Sequence, residues 1–354
     1  MNMTVETSVP VVDFAALTGA AAGKDQAMSA LDSACRKSGF FYLTRHGISH
    51  DSIIRVWRQV NWFFSLPADK KLAVARSESN SRGYYNQELT KNIRDMKEVF
   101  DFGHIPFPEL PEQHNDNKTL DGWNQWPDVA GHHEFKKTLN LYYQACRQVA
   151  IGLLRAITSN LGAAVDTLVG DFHPGHSSFL RLNYYPIIDP LGNGPPGNGP
   201  RGNDPSMNET QGARTAAESG HMGVHHHTDA GALTLLLQDD VGGLEIFSDR
   251  QWIPVAPIDG TLVVNIGDIV QVWSNDRYKA PLHRVLASQG KDRLSLPYFF
   301  NPIYSADYAP LPEAIDAGDY AHYSPINWAH FRKQRQHGDY GDYGDEIQVS
   351  DFRL

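Results

Sequence analysis

Cysteine is nearly absent: the 354 residues contain two, Cys35 and Cys146. Each lies in a stretch with helical spacing, and they are far apart in sequence. This excludes a disulfide scaffold and any CxxC metal knuckle. Two reduced, packed thiols in a reducing compartment are expected instead. Long apolar runs are also missing. No window of about 18 uninterrupted apolar residues occurs, so no transmembrane helix is expected. The segment Met1 to Pro10 lacks the basic start and apolar run of a signal peptide, which makes a cytoplasmic location the expectation. Positive charge is in deficit, with 31 Lys and Arg against 41 Asp and Glu and a formal net charge of −10. That balance argues against a nucleic-acid groove or an anionic membrane as the main partner. It leaves room for a local basic pocket that takes an acidic small molecule.

What is present is an ordinary globular composition, 41% apolar and 20% charged, able to bury a large core. The first 170 or so residues mix helices with a few short strands. Apolar residues recur at helical spacing from Lys24 to Lys37, with Gly39 as a stop, from Ser52 to Phe64, and from about Glu134 to Leu161. Val9–Phe14 and Phe40–Leu43 read as strands. From Ser178 onward the character changes to short β-branched or aromatic runs divided by Gly, Asp and Asn turn signals. The expected fold is mixed α+β, a jelly-roll core with flanking helices. The expected organisation is an N-terminal mixed region over 1–170, the core over 171–320, and a C-terminal helix with an acidic tail over 321–354. Residues 186–222 contain PLGNGPPGNGPRGNDP, which cannot bury enough surface to order itself and reads as a mobile loop. A lid and a tolerated surface insertion are equally good readings of it. The repeat GDYGDYGDE (338–346) lacks EF-hand spacing and reads as a solvated segment.

Chemistry concentrates in GVHHHTDAGALTLLL, which starts at Gly223. Alternate residues of a strand share a face, so His227 and Asp229 are expected to point together. His283, in KAPLHRV, opens another strand far downstream. Two imidazoles and one carboxylate on one face of a metal leave three positions open, the facial arrangement of non-haem iron(II) oxygenases. Ten residues on, Arg293 and Ser295 share a strand face. A guanidinium fork with a hydroxyl beside it suits a carboxylate. His225, two residues before His227, is a candidate for contact with substrate or with the metal's surroundings. His173, His176 and His221 carry no spacing argument and read as loop residues.

These motifs resemble the isopenicillin N synthase-like branch of the iron(II)/2-oxoglutarate-dependent dioxygenase superfamily over nearly the whole chain. VPVVDF, SGFFYLTRHGI, FFSLPADKK and SRGYY resemble its N-terminal region. LRLNYYP, HTDAGALTLLLQDDVGGLEIF, YKAPLHRV and RLSLPYFFNP resemble its catalytic core. The resemblance implies a double-stranded β-helix with iron(II) held by His227, Asp229 and His283. It implies 2-oxoglutarate held by Arg293 and Ser295, with Asn183 and Tyr185 of the Asn-x-Tyr-Pro element touching this co-substrate. It places Phe300 among the pocket-lining aromatics, and Arg82, Tyr84 and Tyr85 are candidates for the substrate mouth. Two features depart from the family pattern: the length of the 186–222 loop and the triple histidine.

The implied enzyme is a monomeric 2-oxoglutarate-dependent dioxygenase with O2 as co-substrate and ascorbate as reductant. It would hydroxylate, desaturate or cyclise a small molecule of secondary metabolism at an unactivated C–H bond. Relatives that need no 2-oxoglutarate also carry an Arg-x-Ser pair, so an oxidase of the same fold is the nearest alternative. A non-catalytic jelly-roll binding protein is the alternative from another class.

Overall fold

The computed structural model describes residues 9–19, 23–90, 93–187, 222–288, 290–340 and 347–354. The mobile loop expected over 186–222 lies almost wholly outside the described residues, as do His221 and tail residues 341–346.

Five helices precede the catalytic sequences: α1 (Phe14–Thr18), α2 (Lys24–Lys37), α3 (His50–Phe64), α4 (Ala68–Leu72) and α5 (His132–Asn160). Helix α3 starts two residues earlier than its apolar pattern because Ser49 caps it, accepting a hydrogen bond from the Ser52 amide. In α5, Leu139, Tyr142, Cys146, Leu153 and Ile157 follow helical spacing and are all buried. Both cysteines are free thiols within helices. Two more helices follow, α6 (Asp268–Trp273) and α7 (Trp328–Tyr340). Among the described residues no helix is long and apolar enough to cross a membrane.

Twelve strands build two sheets. They are β1 (Val11–Asp13), β2 (Phe40–Thr44), β3 (Gly83–Tyr85), β4 (Glu98–Gly103), β5 (Phe179–Tyr185), β6 (Met222–His227), β7 (Leu233–Gln238), β8 (Leu244–Ser248), β9 (Gln251–Pro254), β10 (Leu262–Ile266), β11 (His283–Leu286) and β12 (Arg293–Phe300). The large sheet runs β1-β2-β10-β7-β12-β5-β4-β3 and the small one β9-β8-β11-β6. All pairings are antiparallel except β1 with β2. Stretches before and after residue 170 therefore share one sheet. Strand β4 (EVFDFG) escapes a periodicity search because five of its six residues are buried, Asp101 included.

Side-chain alternation splits the large sheet into two environments. Phe41, Leu43, Leu235, Val264, Leu296 and Tyr298 point to the helix side and share one core with α5. Phe40, Tyr42, Leu236 and Val263 point the other way and pack on Val224, Leu244, Ile246 and Val285 of the small sheet. The space between the sheets is the interior of the jelly roll, and it is only partly filled.

Candidate metal centre and active site

Strand β6 delivers His227 and then ends. Asp229 is not on the strand, as simple alternation expects, but in the turn just beyond it. The turn is held from α6: the Asp268 amide donates to the Asp229 carbonyl at 2.8 Å. Gly267 lets this approach happen. A Cβ there would sit 2.7 Å from the Asp229 carbonyl oxygen and 2.2 Å from that of Gly231, so any side chain would push the turn away. His283 begins β11, whose register places it directly opposite His227.

The three side chains converge. Nε2 of His227 and Nε2 of His283 each lie 3.6 Å from Oδ1 of Asp229. Donors about 2.1 Å from one ion would be roughly 3 Å apart at right angles, close to what is seen. Each imidazole is oriented by a backbone carbonyl. His227 Nδ1 lies 2.8 Å from the His225 oxygen, and His283 Nδ1 lies 3.1 Å from the Pro281 oxygen. A proton on each Nδ1 leaves the Nε2 lone pairs facing the cluster. Asp229 is fixed through Oδ2, which accepts from Asn265 Nδ2 at 2.8 Å and from the Thr234 hydroxyl. Burial pushes the Asp229 carboxyl up, but His283, His227 and Asn265 more than offset it and hold it well below the usual carboxylate range. Burial, with the neighbouring His227, pushes His283 down to about 4. Burial also opposes charge on His227, yet the Asp229 carboxylate raises its affinity for a proton. An ionised carboxylate and imidazoles with exposed lone pairs are the donor set that iron(II) requires. This is the one group of three His, Cys, Asp or Glu side chains among the described residues that could hold a metal.

Two cavities meet at this cluster, both lined by His227 and Asp229. The inner one, about 80 Å³, lies deeper between the sheets and also includes His283, Asn183, Tyr185, Arg293 and Ser295. Strands β5 and β12 pair Tyr185 with Arg293 and Asn183 with Ser295. Asn183 Nδ2 donates to Ser295 Oγ at 3.2 Å. The Arg293 guanidinium lies 4.9 Å from the Tyr185 ring centroid. Arg293 is 1% exposed, yet its Nε and Nη1, and Oδ1 of Asn183, have no hydrogen-bond partner among the described residues. Its Nη2 makes a long contact of 3.5 Å to Gln238. A buried cation so poorly satisfied costs several kcal/mol, about 2–7 for even one neutral polar group. A bound anion removes that cost, and the dicarboxylate 2-oxoglutarate fits both the charge and the donor set.

The outer cavity, about 120 Å³, opens over the other side of the cluster between Lys97, Phe179, Arg181, Phe299, Trp328 and Arg332. It corrects the expectation for Phe300. Because side chains alternate along β12, Arg293, Ser295, Pro297 and Phe299 line the cavities. Phe300 faces the helices, fully buried and stacked on Phe172 at 4.1 Å. Tyr84 is likewise core, its hydroxyl donating to Glu98 at 2.9 Å, and Tyr85 lies against Arg76. Neither lines either of these two cavities. Arg82 stands one layer behind the outer cavity, 5.1 Å from the Phe179 centroid and paired with Asp121 at 3.2 Å. His176 is buried against His104 rather than solvated on a loop. His225 turns to Asp95, with Nδ1 at 3.0 Å from its carboxylate and the backbone amide at 3.1 Å. It reaches the metal site only through the carbonyl that orients His227. Residues that pattern reading missed are Thr234, Asn265, Lys97, Arg181 and Arg332. The signal for the first two is parity, Thr234 with the cavity residue Leu236 on β7 and Asn265 with the inward-facing Val263 on β10.

Comparison with known proteins agrees with this geometry. Residues 176–302 match the model of the 2OG-Fe(II) oxygenase superfamily. Residues 9–129 match that of the N-terminal region of non-haem dioxygenases in morphine synthesis. The chain is 30% identical over 332 residues to the 2-oxoglutarate-Fe(II) type oxidoreductase hxnY of Emericella nidulans, covering 90% of this chain and 87% of that one. It is 32% identical to homoarginine-6-hydroxylase 2-ODD-233 of Oryza sativa, covering 86% and 88%. The crystal structure of Neurospora crassa T7H with alpha-KG and thymine superposes with a TM-score of 0.75 at 26% identity, covering 94% and 98%. The chain belongs to the 2-oxoglutarate–Fe(II) oxygenase superfamily and is a 2-oxoglutarate-dependent dioxygenase.

Proposed function

We propose that iron(II) is held by His227, Asp229 and His283, and that Arg293 and Ser295 take the distal carboxylate of 2-oxoglutarate in the inner cavity. The substrate is a small molecule entering the outer cavity, where an unactivated C–H bond is hydroxylated, desaturated or closed into a ring. The observation that carries this reading is Arg293, a buried guanidinium with two nitrogens unpartnered among the described residues, in a cavity that the three candidate metal ligands also line.

Dioxygen is the oxidant: the bound metal would activate it, with two electrons from 2-oxoglutarate, which leaves as succinate and carbon dioxide, and two from the substrate. The protein's own groups position and protect. Thr234 and Asn265 occupy Oδ2 of Asp229 and leave Oδ1 for the ion. The Tyr185 ring fixes the plane of the Arg293 fork, and Asn183 orients the Ser295 hydroxyl. Phe40, Leu236, Leu244 and Val285 form the apolar wall of the inner cavity, which keeps water from the reacting centre. Ascorbate fits as the reductant that restores iron(II) after uncoupled turnover. Relatives named for homoarginine, and a neighbour crystallised with thymine, support a small-molecule substrate.

Anaerobic titration of iron(II) and 2-oxoglutarate into metal-free protein tests the assignment. A weak visible charge-transfer band is expected in the wild type. It should vanish in His227→Ala and need far more 2-oxoglutarate in Arg293→Ala. Iron binding with no such band would make the protein an oxidase of the same fold, and no iron binding would overturn the site.

A further inference from the structure

The three consecutive histidines of β6 are not evenly presented. Three steps along β6, from Val224 to His227, face only two along β11, from Val285 to His283. The extra residue makes a β-bulge over His225 and His226. In a regular strand, residues three apart point to opposite faces. Val224 and His227 are three apart, yet both line the inner cavity. The bulge is what turns His227 back toward the interior.

A bulge disrupts the ladder, and β6 is also the outermost strand of the small sheet. Its outer backbone groups need partners from elsewhere. These come from the N-terminal half of the chain. A short hairpin pairs Leu89–Thr90 with Ile93–Arg94, and the segment after it runs along β6. The Met96 amide donates to the Met222 carbonyl at 3.1 Å. Asp95 meets the bulge itself. Its Oδ1 accepts from the His225 amide at 3.1 Å and stands 3.0 Å from His225 Nδ1. Its Oδ2 accepts from the Thr90 hydroxyl at 2.7 Å and from Lys97 Nζ at 3.1 Å. A carboxylate offers about four lone-pair sites, so these donors fix it on every side. The side chain has no exposed surface. One more link reaches the cluster, because the His225 carbonyl is the group that holds His227 Nδ1 at 2.8 Å.

We infer that Asp95 is a positioning residue for His227. It locks the bulge through both the amide and the imidazole of His225, and so sets the direction in which the His225 carbonyl holds the His227 ring. Capping the sheet edge needs only backbone pairs such as Met96 with Met222. The buried carboxylate is aimed instead at the one residue whose carbonyl orients a candidate ligand. The first histidine of the triplet thus has a role away from the metal, as the handle by which the N-terminal half grips the bulge. The inference rests on the proposed function for the assignment of His227 as a ligand.

Cobalt(II) titrated into metal-free protein tests it. The visible bands of cobalt report coordination geometry as well as affinity. A residue that merely stabilises the fold would not move the bands of folded, saturated protein. Asp95→Ala is expected to weaken cobalt about 10–100-fold, the range for lost supporting contacts, and to change the bands. Asp95→Asn keeps an oxygen for His225 and should recover much of the affinity. His225→Ala keeps the amide contact, loses the imidazole and should weaken cobalt about tenfold. Wild-type affinity and bands in both alanine variants would overturn the inference and leave the metal assignment standing. An Asp95→Asn variant no better than Asp95→Ala would overturn it too, by assigning the effect to charge lost beside Lys97. Where Asp95→Ala does not fold, His225→Ala decides alone. No cobalt binding by the wild type would sink the positioning role together with the metal assignment.

Discussion

Strand β12 has two faces that do opposite things. Arg293, Ser295, Pro297 and Phe299 look into the cavities, where two nitrogens of a buried guanidinium and a buried amide oxygen have no partner among the described residues. Leu294, Leu296, Tyr298 and Phe300 look toward α5 and join the main core. One face forgoes stability to keep ligand-binding groups poised, and the other repays it with packed apolar area. The same division runs through β2, β5, β7 and β10. A shift of one residue therefore exchanges a ligand-binding position for a core position. Phe299 and Phe300 are adjacent, chemically identical and on opposite sides of this divide.

Substitutions on the two faces should separate cleanly. His283→Ala, which removes a proposed ligand, should exceed the roughly 10–100-fold loss of metal affinity typical of a lost supporting contact, as read by iron retained after dialysis and by succinate release. Phe300→Ala should lower unfolding stability by about 3–5 kcal/mol while leaving the iron–keto-acid band at its wild-type position. Phe299→Ala should do the reverse, barely moving the denaturation midpoint while weakening ligand binding in the outer cavity. If both phenylalanines cost equal stability, the two-face picture fails. Arg293→Ala should weaken 2-oxoglutarate by about 3 kcal/mol, roughly a hundredfold, with the denaturation midpoint held or raised because an unsatisfied buried cation is gone. Asn265→Ala frees one contact to Asp229 and should cost metal affinity within the 10–100-fold range for supporting contacts.

The smallest effect concerns pH and belongs to the helix side. Burial, with Arg147 nearby, pushes His104 down to about 4, and burial, with His104 beside it, pushes His176 to about 2. Both are held neutral in the fold, whereas the unfolded chain takes up protons below about 6.5. The unfolded state then binds more protons, so stability is full above pH 6.5 and falls as pH drops from there toward 4. The loss grows steadily as pH falls across that window. Thermal melts of His104→Gln should show a flatter pH dependence than the wild type. An unchanged slope would assign the acid lability elsewhere.

Local pattern was enough for much of this protein. Helical spacing located α2, α3 and α5 within two residues, and β-branched runs divided by turns located most of the jelly-roll strands. The convergence of His227, Asp229 and His283 was legible because they sit in or beside strands with little else to explain them. The clustering of Arg293, Ser295, Asn183 and Tyr185 was legible because two paired strands carry all four with a period of two.

Periodicity tells which residues share a face, but not which face the cavity lies on. That depends on where α5 and the small sheet pack, and it is why Phe299 rather than Phe300 meets the cavity. Asp229 comes from a turn pinned by α6 through the gap left by Gly267, a contact 38 or more residues away in sequence. The outer cavity draws Arg181, Phe299 and Arg332 together from three separate segments, with Arg82 and Asp121 behind them from two more. No spacing rule connects those positions. Folding alone decides that a chain of net charge −10 gathers four cationic side chains beside its His–Asp–His cluster.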